Sequence, residues 1–485
     1  MKLFRIRGGV HPKENKHLTE DKPISPLPLF FYYHIPLQQH IGAPAEPEVV
    51  VGDRVLKGQL IASARGMISA NIHAPTSGTI TAIGPYIAPH ASGLQGRTIT
   101  LEADGKDEWA ELPAPMDWQN AKPVEISKRV RECGVVGMGG ATFPSSVKLN
   151  LGGRYELDTL VLNGSECEPY LTCDDRLMQE QADEVIEGIL IMAKSLGVGK
   201  AYIGIEKNKP DAIEKMTEAA KEYPGITVVA LPTRYPMGSE KHLVQTLTGK
   251  ETPARGLTAD IGVVVHNVAT AKAVYDAVSK GVPLIERIVT VSGRAIKTPR
   301  NLKVLVGTII EDLIDFCGGY TEPPQQILSG GPMMGQPIRS TSIPLVKGAN
   351  GVLALNEEDI KQDDQMPCIR CASCVAACPC GLVPLEMSAH IRADDLEGAV
   401  KLGLQDCISC GSCSYTCPSR IPLVQTFNYA KGKLTETQRT QHRQEETKRL
   451  AEARTIRMEK EAKAKREAMM RKKAAMAAKR KKSAS

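Results

Sequence analysis

Eight cysteines carry the clearest chemistry in this sequence. They fall in two copies of one spacing, C-x2-C-x2-C-x3-C-P: Cys368, Cys371, Cys374 and Cys378, then Cys407, Cys410, Cys413 and Cys417. Each cysteine of the first copy recurs 39 positions later, so the pattern is an internal duplication. Thiolates at i, i+3 and i+6 curl the chain around one concavity, and in this two-cluster spacing the fourth cysteine of each run ligates the other run's cluster. One [4Fe–4S] cluster is therefore expected on Cys368, Cys371, Cys374 and Cys417, and a second on Cys407, Cys410, Cys413 and Cys378. Structural zinc is the alternative. Its knuckles join one C-x2-C pair to a distant second pair, which three evenly spaced cysteines and a Cys-Pro fit poorly. Gly411 and the small residues Ala372, Ser373, Ser409 and Ser412 let backbone N–H groups approach the sulfurs. Cys380 reads as a spectator, and the isolated Cys133, Cys167, Cys173 and Cys317 as small buried apolar residues.

A second constellation is rich in glycine: Gly134-Val135-Val136-Gly137-Met138-Gly139-Gly140-Ala141-Thr142-Phe143-Pro144, with Lys148 four residues on. Glycines bring backbone N–H groups close to a phosphate, and Lys148 adds a point charge. The spacing is neither a P-loop nor G-x-G-x-x-G after a strand, and a plain turn is the bland reading. A third segment, Asn163-Gly164-Ser165-Glu166-Cys167-Glu168-Pro169-Tyr170, directly follows an apolar strand pattern at Thr159–Leu162. Open α/β sheets bind ligands at the C-terminal ends of their strands. An Asn with nearby carboxylates suits a flavin ring or a ribose; a solvated turn is the alternative for Glu166 and Glu168.

These segments need elements to position them. Residues 1–35, with Pro23, Pro26 and Pro28, read as an extended arm that wraps another domain. Residues 36–105 show short β-branched runs broken by Gly and Asp, a small β-sandwich or barrel. It resembles the biotinyl/lipoyl-carrier hammerhead, but the hairpin-tip stretch Ala64–Ser69 holds no lysine, so no swinging prosthetic group is expected. Across 120–280, helices are expected at Ile126–Cys133, Ala182–Leu196, Pro210–Lys221 and from Val268. Strands are expected at Thr159–Leu162, Ala201–Ile205, Thr227–Leu231 and Gly262–His266, an alternation that argues for a mainly parallel, Rossmann-like sheet. In 285–350, a strand at Ile288–Ser292, a Gly293-Arg294 turn and a helix at Val306–Cys317 suggest a β-grasp unit. The cysteine repeat occupies an α-helical module at 355–425.

Charge is divided along the chain. Residues 431–485 carry 19 Lys/Arg against 7 Asp/Glu, while the remaining 430 residues hold 42 basic against 48 acidic. The formal +6 is thus a mildly acidic body with a basic tail, and aromatics make up only 4%. Specific nucleic-acid binding has no stacking platform to support it. The tail, rich in Ala, Lys, Arg, Glu and Met, has high helix propensity but no sustained heptad seam. A solvated, charged C-terminal helix is the first reading, and contact with anionic lipid headgroups its rival. No stretch approaches the roughly 18–20 apolar residues of a membrane span. The clustered cysteines suit a reducing compartment, so a cytoplasmic setting is expected.

Four segments, taken in order, resemble the NADH-oxidising flavoprotein subunit of respiratory complex I. Gly137–Pro144 with Lys148 resembles its flavin-phosphate loop, and Asn163–Pro169 its acidic Asn-Ala-Asp-Glu-Gly-Glu-Pro loop. Tyr235-Pro236-Met237-Gly238-Ser239-Glu240 and His266-Asn267-Val268-Ala269-Thr270 are similar to its Gly-Glu-Glu and Asn-Asn-Val-Glu-Thr segments. Thr142, Ser165 and His266 depart from that pattern, standing for Gly, Asp and Asn. The whole order, including a soluble-ligand-binding (SLBB-like) β-grasp and Gly330-Gly331-Pro332-Met333-Met334-Gly335, resembles the RnfC family of Rnf ion-translocating electron transport complexes over about residues 1–425.

The resemblance implies bound FMN, NAD(H) as substrate and two [4Fe–4S] clusters. It implies that Gly137, Gly139, Gly140, Phe143, Lys148, Asn163, Glu168, Gly238, Asn267 and Thr270 surround the cofactor, with Asn163 and Asn267 holding the flavin. Glu166 and Glu240 would meet the nicotinamide nucleotide, near Phe143. It further implies a peripheral subunit on the cytoplasmic face of the bacterial inner membrane. Its partners would be the other subunits and, through them, ferredoxin or another one-electron carrier. The competing function is a flavin-free iron–sulfur relay whose α/β part serves only for docking.

Overall fold

The computed structural model describes residues 3–360 and 364–482. It divides into two units, residues 1–385 with 406–423, and residues 386–405 with 424–485.

In the first unit, alternation of apolar and polar residues builds two small antiparallel sheets. One is ordered Tyr32–Pro36, Gln95–Ala103, Gly78–Ile87, Arg54–Val55, and the other Glu46–Pro47, Leu60–Ser63, Ile72–His73. Tyr33, Ile35, Ile61, Ile80, Ile99 and Leu101 are fully buried between them, as period-2 side-chain alternation requires.

Four continuous apolar runs form a parallel sheet ordered Ile226–Leu231, Ala201–Glu206, Thr159–Gly164, Val263–Asn267. Strands buried on both faces need cover on both: Pro123–Glu132, Ala182–Leu196, Pro210–Ala219 and Val268–Tyr275 pack on one face, and Glu240–Thr248 with Ile6 of the N-terminal arm on the other. The register pairs Asn163 with Asn267, so both asparagines stand side by side at the C-terminal edge of the sheet. Ala182–Leu196 packs so closely on Val268–Tyr275 that a Cβ at Gly188 would lie 2.0 Å from the Ala271 carbonyl oxygen.

The next sheet departs from the expectation in two ways. It has six strands, ordered Ile24–Pro26, Arg300–Leu305, Glu286–Ser292, Gly351–Leu355, Gln326–Ser329, Gln336–Ile338. Its first strand comes from the N-terminal arm, which pairs parallel to Arg300–Leu305, so the arm is part of a sheet and does more than wrap. The expected helix Val306–Cys317 is shorter, Ile310–Phe316. Its first turn is displaced because Gly307, at φ +96°, donates its N–H to the Leu345 carbonyl instead of entering the helix.

The cysteine repeat folds as two short helices, Ser373–Ala377 and Ser412–Tyr415. In the second unit, Asp395 caps the helix Leu396–Lys401 by accepting from the Gly398 N–H at 2.8 Å. A 60-residue helix, Leu423–Lys482, ends the described chain. It spans about 90 Å at 1.5 Å per residue and is exposed from Thr435 to Ala478. No helix among the described residues is long and apolar enough to cross a membrane.

Replacing Gly188 with Ala should force the two helices apart and cost about 1–3 kcal/mol, read as a lower denaturation midpoint; an unchanged midpoint would show that the helices separate freely.

Candidate functional site

The loop after Val136 is closed at its base by a bridge between Val136 and Pro144 and by the Gly137 N–H donating to the Phe143 carbonyl at 2.8 Å. Its crest lies over the edge where Asn163 and Asn267 meet. The Met138 N–H donates to Thr270 Oγ1 at 3.0 Å, and a Cβ at Gly139 would stand 3.3 Å from Asn267 Cβ. A cavity of about 360 Å³ opens there, and every cofactor-binding residue expected from the sequence lines it except Gly140. Gly140 sits in the same loop at φ +102° with open space where a side chain would be.

The side chains are held in place by one another. Asn163 donates to the Gly238 carbonyl at 2.8 Å, and its Oδ1 accepts from the Ser165 N–H at 3.1 Å. Asn267 caps its helix by accepting from the Ala269 N–H at 2.8 Å, and donates to Asp174 Oδ2 at 2.6 Å. Lys148 reaches the Val265 carbonyl at 3.1 Å and pairs with Glu240 at 3.4 Å. Glu240 also accepts from Thr258 Oγ1 at 2.8 Å and remains half exposed at the rim.

The two acidic side chains of the 163–170 loop are not in a solvated turn, and their carboxylates are already engaged. Glu166, 4% exposed, accepts from the N–H groups of Asp174 at 2.8 Å and Asp175 at 3.2 Å, which opens the helix Cys173–Glu180. Glu168 accepts from the Met333 and Met334 N–H groups at 2.9 and 2.8 Å. Both line the cavity, yet the oxygens that the resemblance assigned to a nucleotide or flavin are spent on backbone.

Sequence reasoning missed the groups that hold this loop. Lys16, from the N-terminal arm, donates to the carbonyls of Glu166 at 2.9 Å, Glu168 at 3.0 Å and Leu171. Lys209, fully buried beside Glu206, donates to the Ser165 carbonyl at 2.8 Å. Missed too, though it serves the glycine-rich loop instead, was Arg287 of the six-stranded sheet, buried and donating to the Ala349 carbonyl at 3.0 Å and to Met138 Sδ. Asp174 was also missed, although a Thr-Cys-Asp-Asp run is an ordinary helix-start signal. Burial raises the Asp174 carboxyl above its usual range, with the Glu166 charge adding to it. Burial likewise raises Asp175 to about 6 and Glu168 to about 7. His266 goes the other way: burial, then Lys148, lowers its imidazole to about 3, so it is neutral.

These residues fit FMN. Among the described residues, no partner engages the N–H groups of Gly139, Gly140 and Ala141, and Lys148 stands beside that loop. Two buried polar atoms of the lining, Ser145 Oγ and His266 Nε2, have no hydrogen-bond partner, a desolvation cost that a polar ligand would offset.

The cysteines lie in the same unit. Between ligands the backbone turns left-handed at Arg370 and Ala372 and, 39 residues on, at Ser409 and Gly411. The Arg370 and Ser409 N–H groups each donate to the preceding cysteine's Sγ at 3.4 Å. Cys378 is close enough to Cys407, Cys410 and Cys413 for their charges to interact, and Cys374 to Cys417. Cys380, read from the sequence as a spectator, lies near Cys378, Cys407 and Cys410 in the same way. Among the described residues no three metal-ligating side chains converge tightly enough for a single ion. Cys368 and Cys371 are exposed, whereas Cys410 and Cys413 are buried. Ile408 and Cys410 also line the cavity, and Tyr235 Oη, another lining residue packed beside them, donates to the Cys410 carbonyl at 2.7 Å.

Comparison with known proteins matches this arrangement piece by piece. Residues 4–106 match the RnfC barrel sandwich hybrid domain, and 130–276 the Nuo51 FMN-binding domain. Residues 288–337 match the SLBB domain, and 367–421 the 4Fe-4S dicluster domain. The corresponding subunit of the Rhodobacter capsulatus ion-translocating oxidoreductase complex is 57% identical over 91% of this chain and 85% of its own length. The chain belongs to the RnfC family of ion-translocating oxidoreductase complexes. A Clostridium ljungdahlii family member, from a proton-translocating ferredoxin:NAD(+) oxidoreductase complex, is 49% identical over 80% of this chain and 84% of its own. The Pseudomonas aeruginosa member, again from an ion-translocating oxidoreductase complex, is 43% identical over 95% of this chain and 59% of its own.

Because burial raises the Glu168 carboxyl from 4.5 to about 7, the folded state favours its proton. That contribution is complete below the ordinary value and is lost as pH rises through the folded one. Glu168→Gln should therefore flatten the fall in stability between pH 4.5 and about 7, followed by denaturant titration across that range.

Proposed function

We propose that this chain is the electron-transfer subunit through which an ion-translocating complex exchanges electrons with NAD(H), using FMN in the cavity and two [4Fe–4S] clusters on the repeated cysteines. The observation that carries this reading is the shared wall: Cys410 and Ile408 border the same cavity as the glycine-rich loop. Bound there, FMN supplies exchange between a hydride and single electrons, and the clusters supply one-electron carriage.

The chain's own residues do the rest. Gly139, Gly140 and Ala141 present backbone N–H groups to the flavin phosphate, with the Lys148 ammonium against its charge, while Gly137 closes the base of the loop through its N–H to the Phe143 carbonyl. Asn163 and Asn267 fix polar hydrogens at the sheet edge, beside Phe143, Gly238 and Thr270. Glu240, half exposed at the rim, is the carboxylate best placed to meet a nicotinamide nucleotide as it enters. Glu166 and Glu168 act through the backbone they hold. The ligand set of Cys378, Cys407, Cys410 and Cys413 borders the cavity through Cys410, while the set containing the exposed Cys368 and Cys371 faces outward to a partner.

As in the relative named for ferredoxin and NAD(+), the partners are the other subunits of a membrane complex and, through them, a low-potential one-electron carrier. The setting is the cytoplasmic face of the inner membrane, held peripherally. Nucleic acid has no place in this function.

Flavin and iron analysis tests the reading. The purified chain should hold one FMN and about eight irons, and NADH should bleach the visible bands. Cys410→Ser should remove about four irons while retaining flavin, and Lys148→Gln should weaken flavin binding about tenfold. Eight irons without flavin, inert to NADH, would leave the relay function in its place.

A further inference from the structure

The Gly330–Gly335 segment is the tip of the hairpin joining Gln326–Ser329 to Gln336–Ile338. It belongs to the six-stranded sheet, yet it reaches both the cavity and the cysteine repeat. Met334 lines the cavity. The Met333 carbonyl oxygen would stand 2.9 Å from a Cβ at Gly411, in the turn that follows Cys410, and the Met333 side chain packs on Tyr235 and Cys410. The tip is folded on itself by the Gly335 N–H donating to the Gly331 carbonyl at 2.8 Å, and its base is fixed by the Gly330 N–H donating to the Gly351 carbonyl at 2.7 Å. Across the gap, Glu168 grips it with one oxygen on each of two successive N–H groups, Met333 and Met334. A Cβ at Gly331 would lie 2.3 Å from the Glu168 carboxylate, so the grip needs glycine there.

We propose that Glu168 is a positioning residue: its carboxylate clamps the Gly330–Gly335 tip as a common wall of the cavity and the Cys410 turn, and so fixes the spacing between the cofactor site and the adjoining cluster's ligands. This rests on the reading of the cavity as the flavin site and adds a residue role to it. Burial raises the Glu168 carboxyl to about 7 while the Met333 and Met334 N–H groups favour its ionised form, and above that value the carboxylate accepting from both is a charge-assisted, two-point hold. Replacement by an amide keeps at most one of the two points, because the Gln NH2 group confronts the other backbone N–H with a donor. The surrounding charges favour the clamp being specific rather than a general acidic contact. Lys16 faces Glu168 from the arm and is fully occupied by three carbonyls of the same loop, so it steadies the backbone from which Glu168 reaches out.

Two variants of the full chain test this, one removing the charge and one the space. Glu168→Gln and Gly331→Ala should each speed hydrogen exchange of the Met333 and Met334 amides at least about tenfold, while iron and flavin contents stay at the wild-type level. Both should broaden or shift the paramagnetic resonance of the cluster held by Cys378, Cys407, Cys410 and Cys413, leave that of the exposed cluster unchanged, and slow cluster reduction after rapid mixing with NADH. Faster exchange with unaltered resonance and unaltered reduction would show a packing contact only and overturn the proposal. Unaltered exchange in Gly331→Ala would overturn it as well, and that variant keeps the carboxylate should Glu168→Gln fail to fold. A wild-type chain without flavin would defeat the functional reading instead, and the exchange and resonance arms would still decide whether the clamp exists.

Discussion

The site depends on one buried ammonium. Lys16 arrives on the N-terminal arm, about 150 residues away in sequence from the loop it serves, and gives its protons to the carbonyls of Glu166, Glu168 and Leu171. A charge taken out of water is tolerated only when it is paired and its hydrogen-bonding capacity is filled, and this loop meets both demands by curling around Nζ. The curl requires left-handed backbone at Glu166, φ +43°, and Tyr170, φ +68°, conformations that cost energy in residues with a Cβ. With carbonyls turned inward to Lys16, the Glu166 carboxylate stays 4.0 Å from that ammonium while starting the helix Cys173–Glu180, and the Glu168 carboxylate holds the 330–335 tip. The loop that Lys16 holds thus links the parallel sheet to the tip of the six-stranded sheet through Glu168.

What could be read from the sequence divides along the range of the interactions. The cysteine ligands, the glycine loop and the parallel strands are local patterns, and Ala182–Leu196 begins and ends where its apolar period and Gly197 place it. Lys16, Lys209 and Arg287 carried no such mark, because each works on a segment tens to hundreds of residues away. The strand Ile24–Pro26 was unreadable for the same reason: a proline-rich tripeptide has no strand period, and only the exposed edge of Arg300–Leu305 makes it one. Glu166 and Glu168 were legible as site residues but not in role. Their spacing pointed to a ligand, whereas their burial turned them onto backbone.

Electrostatics around the cavity follow from the same burial. Asp174, Asp175 and Glu168 are all pushed toward their neutral forms by desolvation. The positive groups Lys148, Lys209 and Arg287 are held by hydrogen bonds to carbonyls or by nearby carboxylates. A pocket with several acidic residues thus presents less negative charge than its composition implies, a condition for admitting an anionic phosphate. His266 contributes a neutral ring with an open nitrogen where a protonated one would pair with anions indiscriminately.

The duplication explains how one motif can serve two ends of an electron route. The copies share spacing, left-handed turns and N–H to sulfur bonds at matching positions, so their intrinsic ligation is the same. Their surroundings are not. The second copy is packed against Tyr235, Val10 and Ala377, while the first leaves Cys368, Ile369 and Cys371 open to solvent. Solvent exposure and hydrogen bonding to sulfur are two of the main controls on cluster potential, so equal ligands in unequal environments give unequal carriers. Cys378 belongs to the first copy by sequence but lies near Cys410 and Cys413 of the second, the placement that the proposed crossed ligation would use to tie the two environments together. A symmetric gene product becomes a directional path only through what the rest of the chain packs against one half of it.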